Sequence, residues 1–373
     1  MRHLTRWLCS SLALAALGCG QEATTGPPAA AIATIEESSA RIPFFSSKDL
    51  GLMSRNIYVG ADLDAVIAAL VSEDPSDDIP ALMQAAATLH ETDFTVRAEG
   101  FAREIDRTRP DVVGIVEVSK IDVDLDLTPY GGPHLVVHEN FLPEIMSALK
   151  RHHLNYRVAA SNLNFAVVPT PGVRLEDYDV TLVGPGVQVG QGVLAQNFTL
   201  NVGEVAPNVV ISYGFTMVPV KVRGRHYAVA TTHLQPNISG LDLAQLRAAQ
   251  MLELLSLMPS DVPAVIQGDL NDHDDSPMYQ AAAAAGFADV WAVLRPNQPG
   301  LTCCHSIQLD NSQPLYERID FILARGFEHR WDPVTGFIVR VGLFPWEMLP
   351  GPLHPIFVSD HLGLAARLNN PGH

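Results

Sequence analysis

Short apolar runs that break off at polar, chemically capable residues recur along this chain. Val262 to Ile266 is one, and it stops at Gln267-Gly268-Asp269-Leu270-Asn271-Asp272. A continuous apolar run of that length predicts a strand buried on both faces. Gly268 at its end permits a sharp turn or a close backbone approach. Asp269 and Asn271 are two apart and share one face in extended geometry. The same pair also suits an Asx turn that closes a strand and does nothing else.

The device repeats. Met53 to Val59 predicts a first strand carrying Asn56, and Asp111 to Glu117 a buried strand with a carboxylate at its end. His226 to Thr232 predicts a strand ending at His233, Arg318 to Leu323 a strand carrying Asp320, and a last strand opens at Ser359-Asp360-His361. Helical periodicity fills the gaps. Leu63 to Val71 and Pro80 to His90 flank an acidic turn, and Phe94, Ala98, Phe101 and Ile105 fall within about 60° on a helical wheel. Pro110 stops that third helix. Glu139 to Lys150 reads as helix and Tyr156 to Ala160 as extended, while Val173 to Val222 holds several short strands of a mostly antiparallel sheet. Leu243, Leu246, Met251, Leu254 and Met258 mark another apolar stripe, with Ser239 as N-cap, and Met278 to Ala285 a further helix. No internal repeat and no second linker interrupts this succession, so one domain over residues 44–370 accounts for it.

The N-terminus follows different rules. Trp7 to Leu17, preceded by Arg2 and Arg6, is apolar, too short to span a bilayer and built like a signal peptide. It ends Ala16-Leu17-Gly18-Cys19, similar to a bacterial lipoprotein signal in which the cysteine becomes the lipidated first residue. Ala16 stands where that signal usually has Leu, and plain secretion with cleavage a few residues later is the other reading. Residues 20–43, rich in Ala, Thr, Pro and Gly, predict a flexible tether. The protein is therefore expected outside the cytoplasm, as an outer-membrane lipoprotein held through Cys19 or as an extracellular monomer. Past Cys19 only Cys303-Cys304 remains; adjacent cysteines lie below the usual disulfide span, so both are expected as small packed side chains.

The 373 residues are 47% hydrophobic and carry a net charge of −17. That acidity argues against a broad, tight surface for nucleic-acid phosphates. It leaves open a substrate held through a metal ion, which brings its own positive charge.

Six polar islands then stand in order: Asn56, Glu117, His233, Asp269 with Asn271, Asp320, and Asp360 with His361. Singly, a strand-end Glu is a solvated charge and a lone His a satisfied structural residue. Together they supply what metal-assisted phosphoryl hydrolysis needs. Mg²⁺ takes hard oxygen ligands and keeps several waters, so Glu117, supported by Asn56 and Asp360, suffices as a cradle. Asp269, or a histidine held by a carboxylate, can take the proton of an attacking water. Asn271 and His233 suit the developing charge on the phosphate, and Asp320 suits His361 as the carboxylate that fixes its tautomer.

Ser54-Arg55-Asn56, Pro110-Asp111-Val112-Val113-Gly114 with Glu117, Thr232-His233-Leu234, Gly268-Asp269-Leu270-Asn271, Arg318-Ile319-Asp320-Phe321-Ile322 and Ser359-Asp360-His361 resemble the endonuclease/exonuclease/phosphatase superfamily, in the family's order. The resemblance implies an α/β fold, a four-layered α/β/β/α sandwich of two mostly antiparallel sheets flanked by helices. It implies Mg²⁺ or Mn²⁺ dependence and hydrolysis of a phosphate ester. It places Glu117, Asn56 and Asp360 around the metal, Asp269 and Asn271 on water and phosphate, His233 on phosphate, and Asp320 with His361 as a dyad. Val116 departs from the Gln that many members carry before the Glu.

The substrate is less legible. Tyr316-Glu317-Arg318-Ile319-Asp320 lacks the Trp-Cys-Asp-Arg signature of inositol phosphatases, and Arg-Ile-Asp-Phe is widespread among nuclease-like members, so a nuclease or other phosphodiesterase leads. Thr232-His233-Leu234-Gln235 followed by Gly-Asp-Leu-Asn looks like the bacterial sphingomyelinases, which makes a phospholipid phosphodiesterase the alternative. The apolar loop Leu343 to Gly351 either dips into a membrane interface or folds onto the domain's own core. A non-catalytic surface lipoprotein using the fold as a scaffold is the third reading, and it has no use for two histidines and four carboxylates at strand ends.

Overall fold

Apolar residues on both faces turn the predicted runs into central strands. In β1 (Asp49–Asn56), Leu50 and Leu52 face one way and Met53 the other; in β2 (Val112–Asp126), Val112 opposes Val113 and Ile115 in the same manner. The computed structural model describes residues 49–72, 76–130, 132–206, 209–238, 241–327 and 336–369. Cys19, the signal segment, the tether and Ser239 lie outside the described residues. The described residues all fall in one compact unit, Ala40–His373.

Between β1 and β2 run α1 (Leu63–Val71), α2 (Asp78–Thr92) and α3 (Phe94–Thr108); α4 (Phe141–Arg151) precedes the long strands β3 (Arg157–Thr170) and β4 (Val173–Val183). Then come β5 (Gly214–Val222), β6 (Arg225–His233), α5 (Ala244–Leu257), β7 (Ala264–Asp269), α6 (Pro277–Ala284), α7 (Val290–Leu294), β8 (Asp320–Arg325), β9 (Phe337–Val341) and β10 (Gly363–Asn369). The first sheet has the order β9-β10-β1-β2-β4-β3, with His134–Asn140 added on β2. In the second, β8-β7-β6-β5 run side by side between short edge strands at Ala288–Asp289 and Gln188–Val189, and Leu194–Asn197 adds on β5.

Each sheet is antiparallel except for one central parallel pair, β1–β2 in the first and β6–β7 in the second. Parallel neighbours need a long crossover, which α1 to α3 provide in one case and α5 in the other. Three apolar clusters mark the layers. One lies between the sheets, built from Leu50, Leu52, Val218, Val229, Val265 and Ile322 among others. A second packs α3 and α4 on the outer face of the first sheet, and a third packs α5 and α6 on the outer face of the second. This is the four-layered α/β/β/α sandwich. The sheets approach closely at Gly114, where a Cβ would meet Thr231 Oγ1 at 2.5 Å and Gln267 Nε2 at 2.7 Å.

Several expected bounds shift. β1 starts earlier and stops at Asn56, because Asn56 turns the chain by accepting from the Tyr58 backbone N–H at 2.9 Å. β2 does not end at Glu117 but continues nine residues to Asp126; the ladder with β4 breaks between Ile115 and Val118, and Glu117 sits in that bulge with φ 59°. β10 opens at Gly363, so Ser359, Asp360 and His361 belong to the loop before it. α5 begins at Ala244, where Asn237 and Asp242 side chains accept from the Leu243 and Ala244 amides. The apolar loop folds onto the domain: Phe344 and Leu349 are buried, Leu349 against α3, and Glu347 pairs with Arg107 at 2.5 Å. Among the described residues no helix is long and apolar enough to cross a membrane.

Candidate active site

The register of the two parallel pairs brings the polar strand ends together. On the second sheet His233 stands beside Asp269, and Asp269 beside Asp320, so three adjacent strands present one row. On the first sheet Asn56 stands beside Val116, and the bulge turns Glu117 toward that row. Positive φ costs a non-glycine residue about 1–3 kcal/mol, and bulges of this kind re-aim a side chain beside a site.

Asn56 joins the two sheets. Its Nδ2 donates to Glu117 Oε1 at 2.7 Å and to Asp269 Oδ2 at 3.1 Å. Glu117 Oε2 accepts from the Val59 backbone at 3.0 Å. The Asn56 side-chain oxygen accepts from the Tyr58 N–H, so Asn56 bridges one carboxylate from each sheet. His361 Nδ1 lies 2.8 Å from Asp320 Oδ2, and its Nε2 lies 3.7 Å from Asp269 Oδ2. The His361 carbonyl is fixed by the guanidinium of buried Arg55, which also pairs with Glu104 on α3 at 3.1 Å. His233 Nε2 lies 3.8 Å from the same Asp269 oxygen.

Asn271 reaches the site by a turn. It has φ 52°, its N–H donates to Asp269 Oδ1 at 2.9 Å, and its side-chain amide donates to the Leu234 carbonyl at 2.9 Å. The Asx turn is therefore real, and Asn271 braces Asp269 instead of sharing an extended face with it. Gly268 makes the turn possible: at φ 149° a Cβ would lie 1.8 Å from the Thr232 carbonyl oxygen. Asp360 accepts from Ser359 Oγ at 3.2 Å and stands outside the groups of three or more ligand atoms that converge within 4.8 Å. Those groups include Glu117, His233 and Asp269, and Asp269, Asp320 and His361.

Burial sets the electrostatics. It pushes Glu117 up to about 8, with the nearby Asp360 charge adding to the effect. It pushes Asp269 up to about 7, helped by Asp320, and raises Asp360. Burial also lowers His233 to about 3, with His361 acting in the same direction, so that ring is neutral. His361 goes the other way: burial disfavours its cation, but Asp320, Asp360 and Asp269 together outweigh burial and hold it well above its usual value.

The sequence did not single out three residues behind this row. Asp177 and Asp179 on β4 and Asn164 on β3 form a buried cluster in which the Asn164 amide donates to Asp177 at 2.9 Å and to Asp179 at 3.0 Å. Asp179 accepts the His233 backbone N–H at 3.3 Å. The available signal was polar residues spaced two apart on a strand, turned toward the other sheet. Cys303 and Cys304, expected as separate packed side chains, are joined as a disulfide, with Cys304 Sγ 3.9 Å from His361 Nε2.

A cluster of buried carboxylates answered by one imidazolium fits a hard divalent cation, because oxygen donors in excess of positive charge are what such an ion neutralises. The Endonuclease/Exonuclease/phosphatase family profile matches residues 89–361. The chain belongs to that family. Endonuclease/exonuclease/phosphatase members hydrolyse phosphate esters with divalent metals, in keeping with this donor set. The family's protein from Beutenbergia cavernae superposes with a TM-score of 0.56 at 19% identity, over 87% of this chain and 72% of that one, a likeness of fold. One from Bacteroides vulgatus gives 0.49 at 16% identity over 86% and 99% of the two chains. A humanized D. rerio TDP2 gives 0.49 at 16% over 87% and 100%. No curated protein matches the sequence.

The buried acids have a measurable consequence in the metal-free protein. Burial raises Asp177 from 3.8 to about 6. The folded state then binds more protons than the unfolded state across that window, so stability falls as pH rises from about 4 to 6. Asp177→Asn removes this slope and gains roughly 3 kcal/mol at pH 7. Urea unfolding in EDTA at pH 4, 5, 6 and 7 checks it; parallel curves for wild type and variant would contradict it.

Proposed function

We propose that this chain is a Mg²⁺- or Mn²⁺-dependent phosphodiesterase in which Asp269 takes the proton of the attacking water. The convergence of His361 Nε2, His233 Nε2 and Asn56 Nδ2 on Asp269 Oδ2, at 3.7, 3.8 and 3.1 Å, carries this reading. Asp269, raised toward neutrality, is matched to a base working near pH 7. His361 is charged and oriented by Asp320, and is suited to hold the negative charge that grows on the phosphate. That assigns the base to Asp269 and the electrostatic role to the dyad. Neutral His233 donates one further hydrogen bond to phosphate. Glu117 would hold the metal, with Asp360 nearby; the ion supplies positive charge against the phosphate oxygens and lowers the pKa of a bound water. Burial of Phe344 and Leu349 against the domain weighs against a membrane-dipping loop, so a nuclease or another phosphodiesterase acting on a soluble ester is the first substrate class to test.

Glu117→Ala is expected to cut turnover of bis-nitrophenyl phosphate at least 10²-fold with an unchanged circular dichroism spectrum. EDTA abolishes the wild-type rate and Mg²⁺ or Mn²⁺ restores it. Plasmid DNA and phospholipid vesicles run beside it sort the substrate, and retention of full activity by the variant would sink the assignment. The N-terminal segment supports export with lipid on Cys19; wild type then takes up labelled palmitate and Cys19→Ser does not.

A further inference from the structure

Beside the row of polar strand ends lies a cavity of about 180 Å³ with almost wholly apolar walls. Leu63 and Leu82 come from α1 and α2, Val123 from β2 beyond the Glu117 bulge, Phe165 from β3, Val209 from the hairpin Gly203–Ala206/Val209–Ile211, and Tyr213 from the residue just before β5. An apolar void of this size is not stabilised by water, because water there finds no hydrogen-bond partners, and its lining forfeits dispersion contacts. A cavity of ~150 Å³ with such walls takes up a molecule the size of benzene.

The cavity adjoins the catalytic row. Tyr213 forms part of its wall and packs its ring edge-on against the His233 ring, centroids 4.9 Å apart. Gln235, two residues after His233, also lines it. Pro236 and Asn237 line both this cavity and an adjoining polar one that contains Asn271. An ester whose phosphate sits at Asp269 and His233 thus has an apolar chamber beside it, walled mainly by aliphatic side chains.

We propose that this cavity receives an alkyl chain of the substrate, so that the preferred phosphate ester is amphiphilic, with a chain on the order of six to eight carbons inside the protein. This rests on the hydrolase reading above and adds the substrate class to it. The chain is desolvated as it binds, and each methylene gained lowers KM about three- to fourfold until the cavity is full.

The test uses nitrophenyl alkyl phosphodiesters from methyl to dodecyl, below their micelle concentrations, with Mg²⁺. Calorimetric binding of methyl and octyl phosphate to the Glu117→Ala protein runs beside it. KM is expected to fall through hexyl to octyl and then level. Ala85→Phe, which fills the cavity from α2, and independently Val209→Phe, from the hairpin, should leave the methyl ester unchanged and erase at least tenfold of the octyl advantage. Hydrolysis with one KM for every chain length overturns the cavity proposal and leaves the hydrolase standing. No hydrolysis, but octyl phosphate binding that either filling variant removes, overturns the hydrolase and upholds the cavity. Equal binding of methyl and octyl phosphate overturns the cavity proposal whatever the turnover.

Discussion

The sandwich gathers more buried carboxyl groups than it has cations to pair with, and burial and mutual repulsion raise Glu117 to about 8 and Asp269 to about 7. Glu117, Asp269, Asp320 and Asp360 gather where the two sheets end, and His361 is the imidazolium set among them. Two like charges 4 Å apart repel by about 4 kcal/mol even at an effective dielectric of 20, so such a cluster persists only where the surrounding strands fix it. Asn56 shows how that is done. One amide donates to a carboxylate on each sheet, and the backbone of Tyr58 holds its oxygen. Arg55, next to it, anchors the His361 carbonyl, so the two ends of the described chain are tied at the same point. A divalent cation would relieve the remaining repulsion.

The single parallel pair in each otherwise antiparallel sheet is what puts chemistry at one end. Both pairs finish at that end, β1–β2 delivering Asn56 and Glu117 and β6–β7 delivering His233 and Asp269. β8, antiparallel to β7, enters there with Asp320, and the loop before β10 contributes His361. Beyond this end, β2, β3 and β4 run on and carry α1, α2 and the short hairpin around an apolar chamber. The parallel pairs thus set the polar row, and the strand extension beside it sets the chamber.

The strand ends were legible in the sequence because an apolar run followed by Gly-Asp or Thr-His is a local signal. The order of layers came from the family resemblance, not from the pattern of elements. The bulge at Glu117 was not legible, since nothing in Val116-Glu117-Val118 marks a left-handed backbone; it is imposed by pairing with β4, far away along the chain. Asp177 and Asp179 were hidden inside a strand rather than at its end. Asn271 misled in geometry, because the Asx turn and the shared face are alternatives and the turn won. The chamber has no sequence signature, being walled by residues scattered from Ala61 to Ile238, most of which look like ordinary core positions.

Metal-linked thermal stability tests the central claim most directly. If the buried carboxylates await a cation, millimolar Mg²⁺ or Mn²⁺ raises the melting temperature of the wild-type protein by several degrees, as a ligand bound only by the folded state must, and Glu117→Gln loses most of that rise. An equal rise in both proteins, or none in the wild type, would contradict the account.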